Sequence, residues 1–285
     1  MRILVTGASG FVGGYLVPAL VAAGHETFAL VRDAARYGAS EEVSVVTADL
    51  GEPLELEALP RVDAVAHFAQ ANVSLPDEAA TLYRVNTAST LDLLEHARRS
   101  GASHFLYASS ASVYGFGERP FREDDPLVPG NRYAVSKINA ENLVASYRGS
   151  LATGVFRLVA PYGPGQTGRM IPAVIGRVRE GKPVTLNGGG RPRMNPIYVE
   201  DAVRVVLAAL DCESDEVLNV GGDEVVGIDD IARVAGEACG REPVFEDGDA
   251  DAPGDVVADT TRLKELGLES LVPFEEGVKR IVNRS

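Results

Sequence analysis

The chain has 285 residues, of which 45% are hydrophobic and 24% are charged. This composition allows a full buried core and excludes a disordered or fibrous protein. The formal net charge of -14 disfavours nucleic acid and anionic membrane surfaces as partners. A small molecule is therefore the expected partner.

Cysteine, histidine and hydropathy patterns exclude several further classes. Cys212 and Cys239 are too few and too far apart for a disulfide framework or a cysteine-rich zinc site. The histidines are scattered without metal-ligand spacing, so no metal site is expected. Nothing resembles a signal peptide or an apolar span of about 20 residues, and we expect a cytoplasmic protein.

The first half of the chain alternates short apolar runs with helical patterns. Arg2–Thr6 predicts a strand, and the Ala-, Leu- and Val-rich segment after it predicts a helix capped by Gly24. Most later apolar runs lack the alternation of a half-exposed strand and predict buried parallel strands. These runs are 27–31, 43–47, 64–68, 104–108 and 155–159.

Two long helices are predicted between these strands. Apolar residues at helical spacing predict a helix over about 79–99, with Gly101 just beyond it, and a second helix over 133–147. Strands that alternate with helices predict an α/β fold, a doubly wound parallel sheet of the Rossmann type. The ligand of such a sheet lies at the carboxyl ends of the strands.

After Pro161 the pattern changes. Residues 162–196 are rich in Gly, Pro and Arg, with one helix candidate at 171–179, and predict a loop-rich cap. A strand at 197–199, a helix at 200–210 and a strand at 217–220 predict returns to the sheet, and 229–239 predicts a later helix. We therefore assign 1–160 to a dinucleotide-binding domain with returns at about 197–221. Residues 161–196 and 222–285 are assigned to a smaller α+β substrate-binding domain.

A glycine-rich turn follows the first predicted strand. Gly7, Gly10 and Gly13 stand at three-residue spacing, with Phe11 and Val12 at the predicted helix start. Glycines allow the backbone to approach a pyrophosphate, whose charge is met by free amides and the positive helix end. The turn therefore predicts a dinucleotide site.

The end of the second strand bears on the choice of dinucleotide. An acidic residue there holds the ribose hydroxyls of NAD, whereas an arginine pairs with the extra phosphate of NADP. Val31 occupies the expected acidic position and Arg32 follows it, although Asp33 could still reach the ribose. The cofactor is expected to be NAD or NADP, with NADP favoured.

Tyr133 and Lys137 place a phenol and an ammonium on one face of a predicted helix. The ammonium and the positive nicotinamide ring would lower the pKa of the phenol, so that it can exchange a proton near neutral pH. Ser110, at the end of the preceding strand, could hydrogen-bond the reacting oxygen. Together these three residues predict hydride and proton transfer on a carbinol or ketone.

With these motifs the chain resembles the extended short-chain dehydrogenase/reductase family, in its sugar-nucleotide epimerase, dehydratase and ketoreductase branch. Further motifs carry the resemblance along nearly the whole chain, at 48–50, 67–69, 85–86, 109–115, 162–166, 197–201 and 253–255. The resemblance implies that Ser110, Tyr133 and Lys137 are catalytic. It also implies cofactor contacts from Asp49 and Leu50 at the adenine, from Phe68 and Ala69 at the pyrophosphate, and from Asn86.

Departures from the family pattern narrow the reaction. Dehydratases and decarboxylases of the family carry acidic residues where this chain has Ala111 and Ser112. Without a carboxyl group to protonate a leaving hydroxyl, elimination of water is disfavoured. An epimerase or a ketoreductase acting on a sugar or nucleotide sugar is the leading expectation.

Other departures concern the substrate. An asparagine and an arginine of the family that contact the diphosphate are Ala160 and Ala252 here. Arg169, Arg191 and Arg193 could bind an anionic substrate by a different geometry or could be solvated. An NADPH-dependent reductase of a non-sugar ketone or aldehyde is therefore an alternative.

Two expectations are of another kind. A non-catalytic dinucleotide sensor or scaffold is the alternative outside enzymes, although the intact Ser, Tyr and Lys set argues against it. By the resemblance, the two long helices pair across a dimer axis, so a homodimer is expected.

Overall fold

The computed structural model describes residues 1–38, 40–71, 78–212, 215–251, 254–268 and 271–284. They belong to two compact units. Unit 1 comprises Met1–Val113, Pro129–Arg157 and Val203–Leu218, and unit 2 comprises Tyr114–Val128, Leu158–Ala202 and Asn219–Ser285. The sequence-based division placed 114–128 in the first domain, whereas this segment groups with unit 2.

The strands form a large and a small sheet. The large sheet has the order β3-β2-β1-β4-β5-β6-β8, and the small one pairs β7 with β9. The first six strands follow the order of a doubly wound dinucleotide-binding sheet, which confirms the predicted fold class. The strands are β1 (Arg2–Thr6), β2 (Glu26–Val31), β3 (Val43–Thr47), β4 (Ala64–His67), β5 (His104–Ser110), β6 (Ala152–Leu158), β7 (Val184–Leu186), β8 (Glu216–Val220) and β9 (Phe245–Asp247).

Helices connect the strands. They are α1 (Phe11–Ala22), α2 (Ala34–Tyr37), α3 (Ala79–Tyr83), α4 (Ser89–Ser100), α5 (Arg132–Ser146), α6 (Met170–Glu180), α7 (Val199–Ala209), α8 (Ile228–Cys239), α9 (Thr261–Glu265) and α10 (Phe274–Arg284). Among the helices described here, none is both long and apolar enough to span a membrane.

Burial follows the position of each strand in the sheet. β1, β2, β4 and β5 pair in parallel and are almost entirely buried, as predicted. The prediction of a buried strand is wrong for β3, in which Val45 is 37% exposed. β3 is one of the two edge strands of the large sheet and lies next to β2, so it is less covered than the central strands.

The helix predicted over 79–99 is interrupted. α3 ends at Tyr83, a π-helical turn covers Arg84–Ala88, and α4 follows. Gly101 ends α4 in the left-handed region at φ 71°, as a C-terminal cap requires. The other long helix is confirmed as α5, whose N-cap Asn131 accepts a hydrogen bond from the Ala134 amide.

The strand predicted at 197–199 is wrong. Tyr198 forms only an isolated bridge with Tyr162, and α7 already begins at Val199. Glu200 and Asp201 lie in the first turn of that helix, where acidic side chains are favourable. The helices predicted at 171–179 and 229–239 are confirmed as α6 and α8.

Each unit has a buried apolar cluster. In unit 1, β1, β2, β4 and β5 contribute to it together with α4 and α5. In unit 2, α6, α8 and α10 supply most of the cluster, together with Tyr162 and Tyr198.

Candidate functional site

The glycine turn between β1 and α1 requires glycine at two of its three positions. Gly7 has a φ of 71°, and a Cβ there would lie 2.6 Å from the Ala69 amide nitrogen. A Cβ on Gly13 would collide with the Gly7 carbonyl oxygen. The N-cap residue of α1 is Gly10, which has no side chain that could cap the helix. The turn therefore fits the pyrophosphate of a dinucleotide, which needs close backbone and uncapped amides.

The segment after β4 lies directly against this turn. The Ala69 amide donates to Thr6 Oγ1 at 3.2 Å, and the carbonyl oxygen of Phe68 lies 2.7 Å from the position of a Gly7 Cβ. Phe68 and Ala69 are thus beside the glycine turn. Their predicted contact with the cofactor stays a prediction.

The residues predicted to meet the adenine end differ in exposure. Asp49 is exposed and its carboxylate accepts from the Gly51 amide at 2.8 Å, whereas the Leu50 side chain is packed in the core of unit 1. Arg32 is exposed after β2. Asp33 caps α2 by accepting from the Ala35 amide at 3.0 Å.

Lys137 is buried on α5 beside Tyr133. Its ammonium donates to the Ala108 carbonyl at 2.7 Å and lies 5.7 Å from the centre of the Tyr133 ring and 4.8 Å from that of Tyr107. Burial lowers the pKa of Lys137 to about 7, against an opposing effect of the Glu141 carboxylate. Burial thus brings the pKa of this lysine close to neutral pH.

Ser110 ends β5, the strand to which Lys137 is tied. Its hydroxyl accepts from the Ser112 amide at 3.2 Å. Because Ala108 is on the same strand, its bond to Lys137 fastens α5 next to the Ser110 end of β5. The predicted Ser, Tyr and Lys set thus comes from one strand end and the first two turns of one helix.

Gln70 is a site residue that the sequence reading missed. The Tyr133 hydroxyl donates to the Gln70 side-chain oxygen at 2.6 Å. A polar residue shortly after a buried strand is common, so nothing in the sequence indicates this contact.

A buried ion pair behind Lys137 was missed as well. Arg157 of β6 donates to the Glu141 carboxylate, with a shortest distance of 2.7 Å, and the Ser109 hydroxyl donates to the same carboxylate. All three side chains are less than 9% exposed. A charged residue inside the apolar run of β6 was the available signal.

Asn86 is held by protein groups. Its amide nitrogen donates to the Ala71 carbonyl and to Ser136 Oγ, both at 3.1 Å, and its amide oxygen accepts from the Ala71 amide at 2.7 Å. Both amide hydrogens are therefore used within unit 1. The cofactor contact predicted for Asn86 stays untested, and its observed role is to hold the chain after β4.

His67 joins β1, β4 and α4 as a neutral group. Its ring nitrogens lie 2.6 Å from Thr6 Oγ1 and 3.1 Å from Thr90 Oγ1. Burial, together with the charge of Lys137, lowers the pKa of His67 to about 3. Within the described ranges no group of side chains is arranged to bind a metal ion.

The three predicted substrate arginines belong to unit 2. Arg193 lies 3.6 Å from the Asp230 carboxylate and Arg191 lies 3.9 Å from that of Asp255, so acidic side chains accompany both. Arg169 is exposed at the N-cap of α6. Ala252 and Pro253, which entered the comparison with the family pattern, lie outside the described residues.

Comparison with known proteins bears on this geometry. The pattern of the family described as "NAD dependent epimerase/dehydratase family" matches residues 3–221. The chain is 28% identical to mouse dTDP-D-glucose 4,6-dehydratase, covering 99% of this chain and 87% of that protein. It is 29% identical to dTDP-4-dehydro-6-deoxy-D-allose reductase of Streptomyces bikiniensis, covering 96% and 91%.

A solved structure agrees over the full length. UDP-glucuronic acid 4-epimerase from Bacillus cereus, in complex with NAD, superposes with a TM-score of 0.88 at 25% identity and covers 100% of this chain and 98% of that one. These similar proteins include a dehydratase, a reductase and an epimerase, so similarity alone leaves all three reactions open. The chain belongs to the NAD-dependent epimerase/dehydratase family of extended short-chain dehydrogenase/reductase enzymes.

Proposed function

We propose that this enzyme is an epimerase or ketoreductase acting at a secondary alcohol or ketone of a sugar, with a nucleotide sugar as the leading substrate class. The observation that carries the proposal is the buried Lys137 ammonium, held by the Ala108 carbonyl, 5.7 Å from the Tyr133 ring. A positive charge at that distance favours the phenolate and so allows Tyr133 to exchange protons.

Each residue then has one task. Tyr133 takes the proton of the substrate hydroxyl when the carbon is oxidised and returns it when the carbonyl is reduced. Ser110 donates a hydrogen bond to the reacting oxygen, and Lys137 stabilises the phenolate. When bound, the nicotinamide cofactor accepts and donates the hydride. Replacing Tyr133 with Phe is expected to lower turnover at least about 100-fold, since general acid–base catalysis contributes about that much.

Dehydratase chemistry is disfavoured in this proposal. Ala111 and Ser112 stand where dehydratases of the family carry acidic residues, and neither side chain can protonate a leaving hydroxyl. Release of a dehydrated 4-keto-6-deoxy sugar from a nucleotide sugar, followed by mass spectrometry, would contradict this part of the proposal.

An epimerase and a ketoreductase use the cofactor differently. An epimerase retains the dinucleotide and returns the hydride, whereas a reductase consumes one reduced cofactor per turnover. Mass spectrometry of the denatured protein identifies any dinucleotide that copurifies. Tightly retained NAD favours the epimerase, and stoichiometric NADPH oxidation with a keto-sugar favours the reductase.

The preference for NADP is the finer part of the cofactor proposal. Arg32 is exposed at the end of β2, and the Asp33 carboxylate is bound to the Ala35 amide and to Arg36 at 3.2 Å. Replacing Arg32 with Ala should weaken NADP binding by about tenfold and leave NAD binding nearly unchanged, because only NADP carries the phosphate. The NAD bound in the Bacillus cereus epimerase favours NAD as the cofactor instead. Equal losses of affinity for NAD and NADP in the Arg32 variant would refute the NADP preference.

A second candidate is a reductase of a non-sugar ketone or aldehyde. It is favoured by Ala160, which lacks the family's diphosphate-contacting amide, and by the carboxylates that accompany Arg191 and Arg193. Thermal-shift screening with nucleoside diphosphate sugars separates the candidates, because specific binding raises the melting temperature. Stabilisation by such a sugar supports the leading proposal, and stabilisation only by small ketones supports this second one.

A homodimer is proposed for the assembly. Tyr83 and Leu91 are large apolar side chains that are 37% and 41% exposed, and together with Leu143 of α5 they line an apolar groove in unit 1. A second copy pairing along α4 and α5 would cover this groove. Sedimentation velocity tests the proposal, and a monomeric mass at micromolar concentration would refute it.

A further inference from the structure

Gln70 contacts the hydroxyl group of Tyr133, the residue that is proposed to exchange protons with the substrate. It lies three residues beyond His67, the last residue of β4, and its side-chain oxygen accepts the hydrogen of the Tyr133 hydroxyl at 2.6 Å. The role argued here for Gln70 rests on the proposed function, in which that hydroxyl gives up and regains its proton.

The backbone on both sides of Gln70 is fastened. Ahead of it, the Ala69 amide donates to Thr6 Oγ1 at 3.2 Å. Behind it, Asn86 binds both the amide and the carbonyl of Ala71, at 2.7 and 3.1 Å. The backbone that carries the Gln70 side chain therefore cannot shift without breaking part-buried hydrogen bonds.

The same asparagine also holds the helix that carries Tyr133. Asn86 donates to Ser136 Oγ at 3.1 Å, and Ser136 in turn donates to the Tyr133 carbonyl at 2.7 Å. Asn86 thus holds both the backbone next to Gln70 and the first turn of α5 through hydrogen bonds. This arrangement gives the Gln70 contact a defined geometry although the Gln70 side chain itself is exposed.

Among the described residues, Lys137 of α5 lies beside the Tyr133 ring, and Tyr107 of β5 interacts electrostatically with Tyr133. Glu141 of α5 and His67 of β4 adjoin Tyr107. Burial raises the pKa of Tyr107 and lowers that of His67, so both stay neutral at physiological pH. Gln70 is neutral as well and acts on Tyr133 through hydrogen bonding alone.

We propose that Gln70 is a positioning residue for Tyr133, whose amide accepts from the phenol and, after a half-turn, donates to the phenolate. The oxygen and nitrogen of a glutamine amide are similar in size, so the half-turn keeps the contact. A hydrogen bond to an ionised oxygen is about twice as strong as one between neutral groups. Gln70 therefore favours the phenolate on balance.

Ionisation of Tyr133 provides a direct readout, measured by ultraviolet difference spectroscopy against the matching Tyr133→Phe protein. Gln70→Ala is expected to raise the midpoint by about half to one pH unit. Gln70→Glu should raise it further, because an ionised carboxylate accepts from the phenol and repels the phenolate. A midpoint that is unchanged or lower in either variant overturns the proposal.

Glu95→Gln is the matched control. Glu95 accepts a hydrogen bond from the Tyr147 hydroxyl at 2.5 Å, and Tyr147 follows the last residue of α5. The Glu95→Gln substitution therefore changes the carboxylate partner of a different tyrosine. The Tyr133 midpoint should not move, and a shift as large as that of Gln70→Ala overturns a specific role for Gln70. Turnover by Tyr133→Phe would instead refute the proposed function, whatever the Gln70 variants do.

Discussion

The buried pair of Glu141 and Arg157 offers a sharp test of the electrostatics behind the site. Their side chains are 8% and 6% exposed, and the Arg157 guanidinium contacts both carboxylate oxygens at 2.7 to 3.2 Å. Glu141→Gln keeps the shape of the side chain and one acceptor oxygen but removes the negative charge that pairs with Arg157. Breaking a buried pair in this way costs about 3–5 kcal/mol, and the retained acceptor places the expected loss near the lower end.

The second half of the cycle is Arg157→Met, which leaves the Glu141 charge unpaired and should cost a similar amount. The double variant removes both charges, so its loss should fall about 2–3 kcal/mol short of the sum of the two single losses. Urea denaturation at pH 7 measures these free energies, provided that fluorescence and circular dichroism report one transition with equal slopes.

Glu95, whose side chain is 29% exposed, supplies the control for this cycle. It pairs with Arg98, whose side chain is 50% exposed, so Glu95→Gln should cost less than about 1 kcal/mol. Strict additivity of the Glu141 and Arg157 substitutions would refute the argument, because it would mean that the two charges do not depend on each other.

Three further predictions concern single positions. Gly7→Ala should destabilise the protein by about 1–3 kcal/mol and abolish dinucleotide binding measured by calorimetry, since φ is 71° and the new Cβ meets Ala69; retained binding would contradict the fit of the turn. Ala160→Asn should raise the free energy of unfolding by up to about 1 kcal/mol in urea, because Ala160 has a φ of 37°, where asparagine is better tolerated. The free energy of unfolding should rise with pH between about 7 and 10.5, by at most ~1.4 kcal/mol per pH unit, because Lys137 keeps its proton in the unfolded chain but has lost it in the folded protein. Lys137→Met should remove this contribution. Identical slopes of unfolding free energy against pH in the two proteins would refute the prediction.

The parts of the site that could be predicted are local in the chain. The glycine turn occupies a few residues between one strand and one helix, and Tyr133 and Lys137 are one helical turn apart. Their geometry follows from secondary structure alone, so the sequence suffices. Ser110 could be added because β5 ends at that residue, as parallel strands end at the ligand edge.

The missed contacts depend on which elements become neighbours. Gln70 and Tyr133 are 63 residues apart, and they meet only because β4 lies next to β5 and α5 packs against β5. Arg157 lies on β6, and its pairing with Glu141 depends on how α5 is placed over the sheet. Spacing in the chain cannot supply either relation.

The interrupted helix was missed for a different reason. The spacing of apolar residues over 79–99 is compatible with one continuous α-helix. It does not reveal a π-helical turn, which contains one more residue than an α-helical hydrogen-bonded turn. Asn86 lies inside the π-helical turn and is held there by its bonds to Ala71 and Ser136. Tertiary hydrogen bonds thus determine the local backbone, as is common for π-turns at functional sites.

Two buried ionisable groups, Lys137 on α5 and His67 on β4, affect reactivity and acid stability separately. Burial lowers the pKa of Lys137 to about 7, and the ammonium lies close to the phenol, so in the proposed mechanism its charge governs proton exchange by Tyr133. His67 has a folded pKa of about 3 against an unfolded value of 6.5. The unfolded chain therefore takes up a proton first as the pH falls below 6.5, and the contribution of neutral His67 to stability is lost progressively toward pH 3. Because His67 is neutral near pH 7, it joins β1, β4 and α4 without adding a second positive charge near Lys137, the residue proposed to stabilise the phenolate.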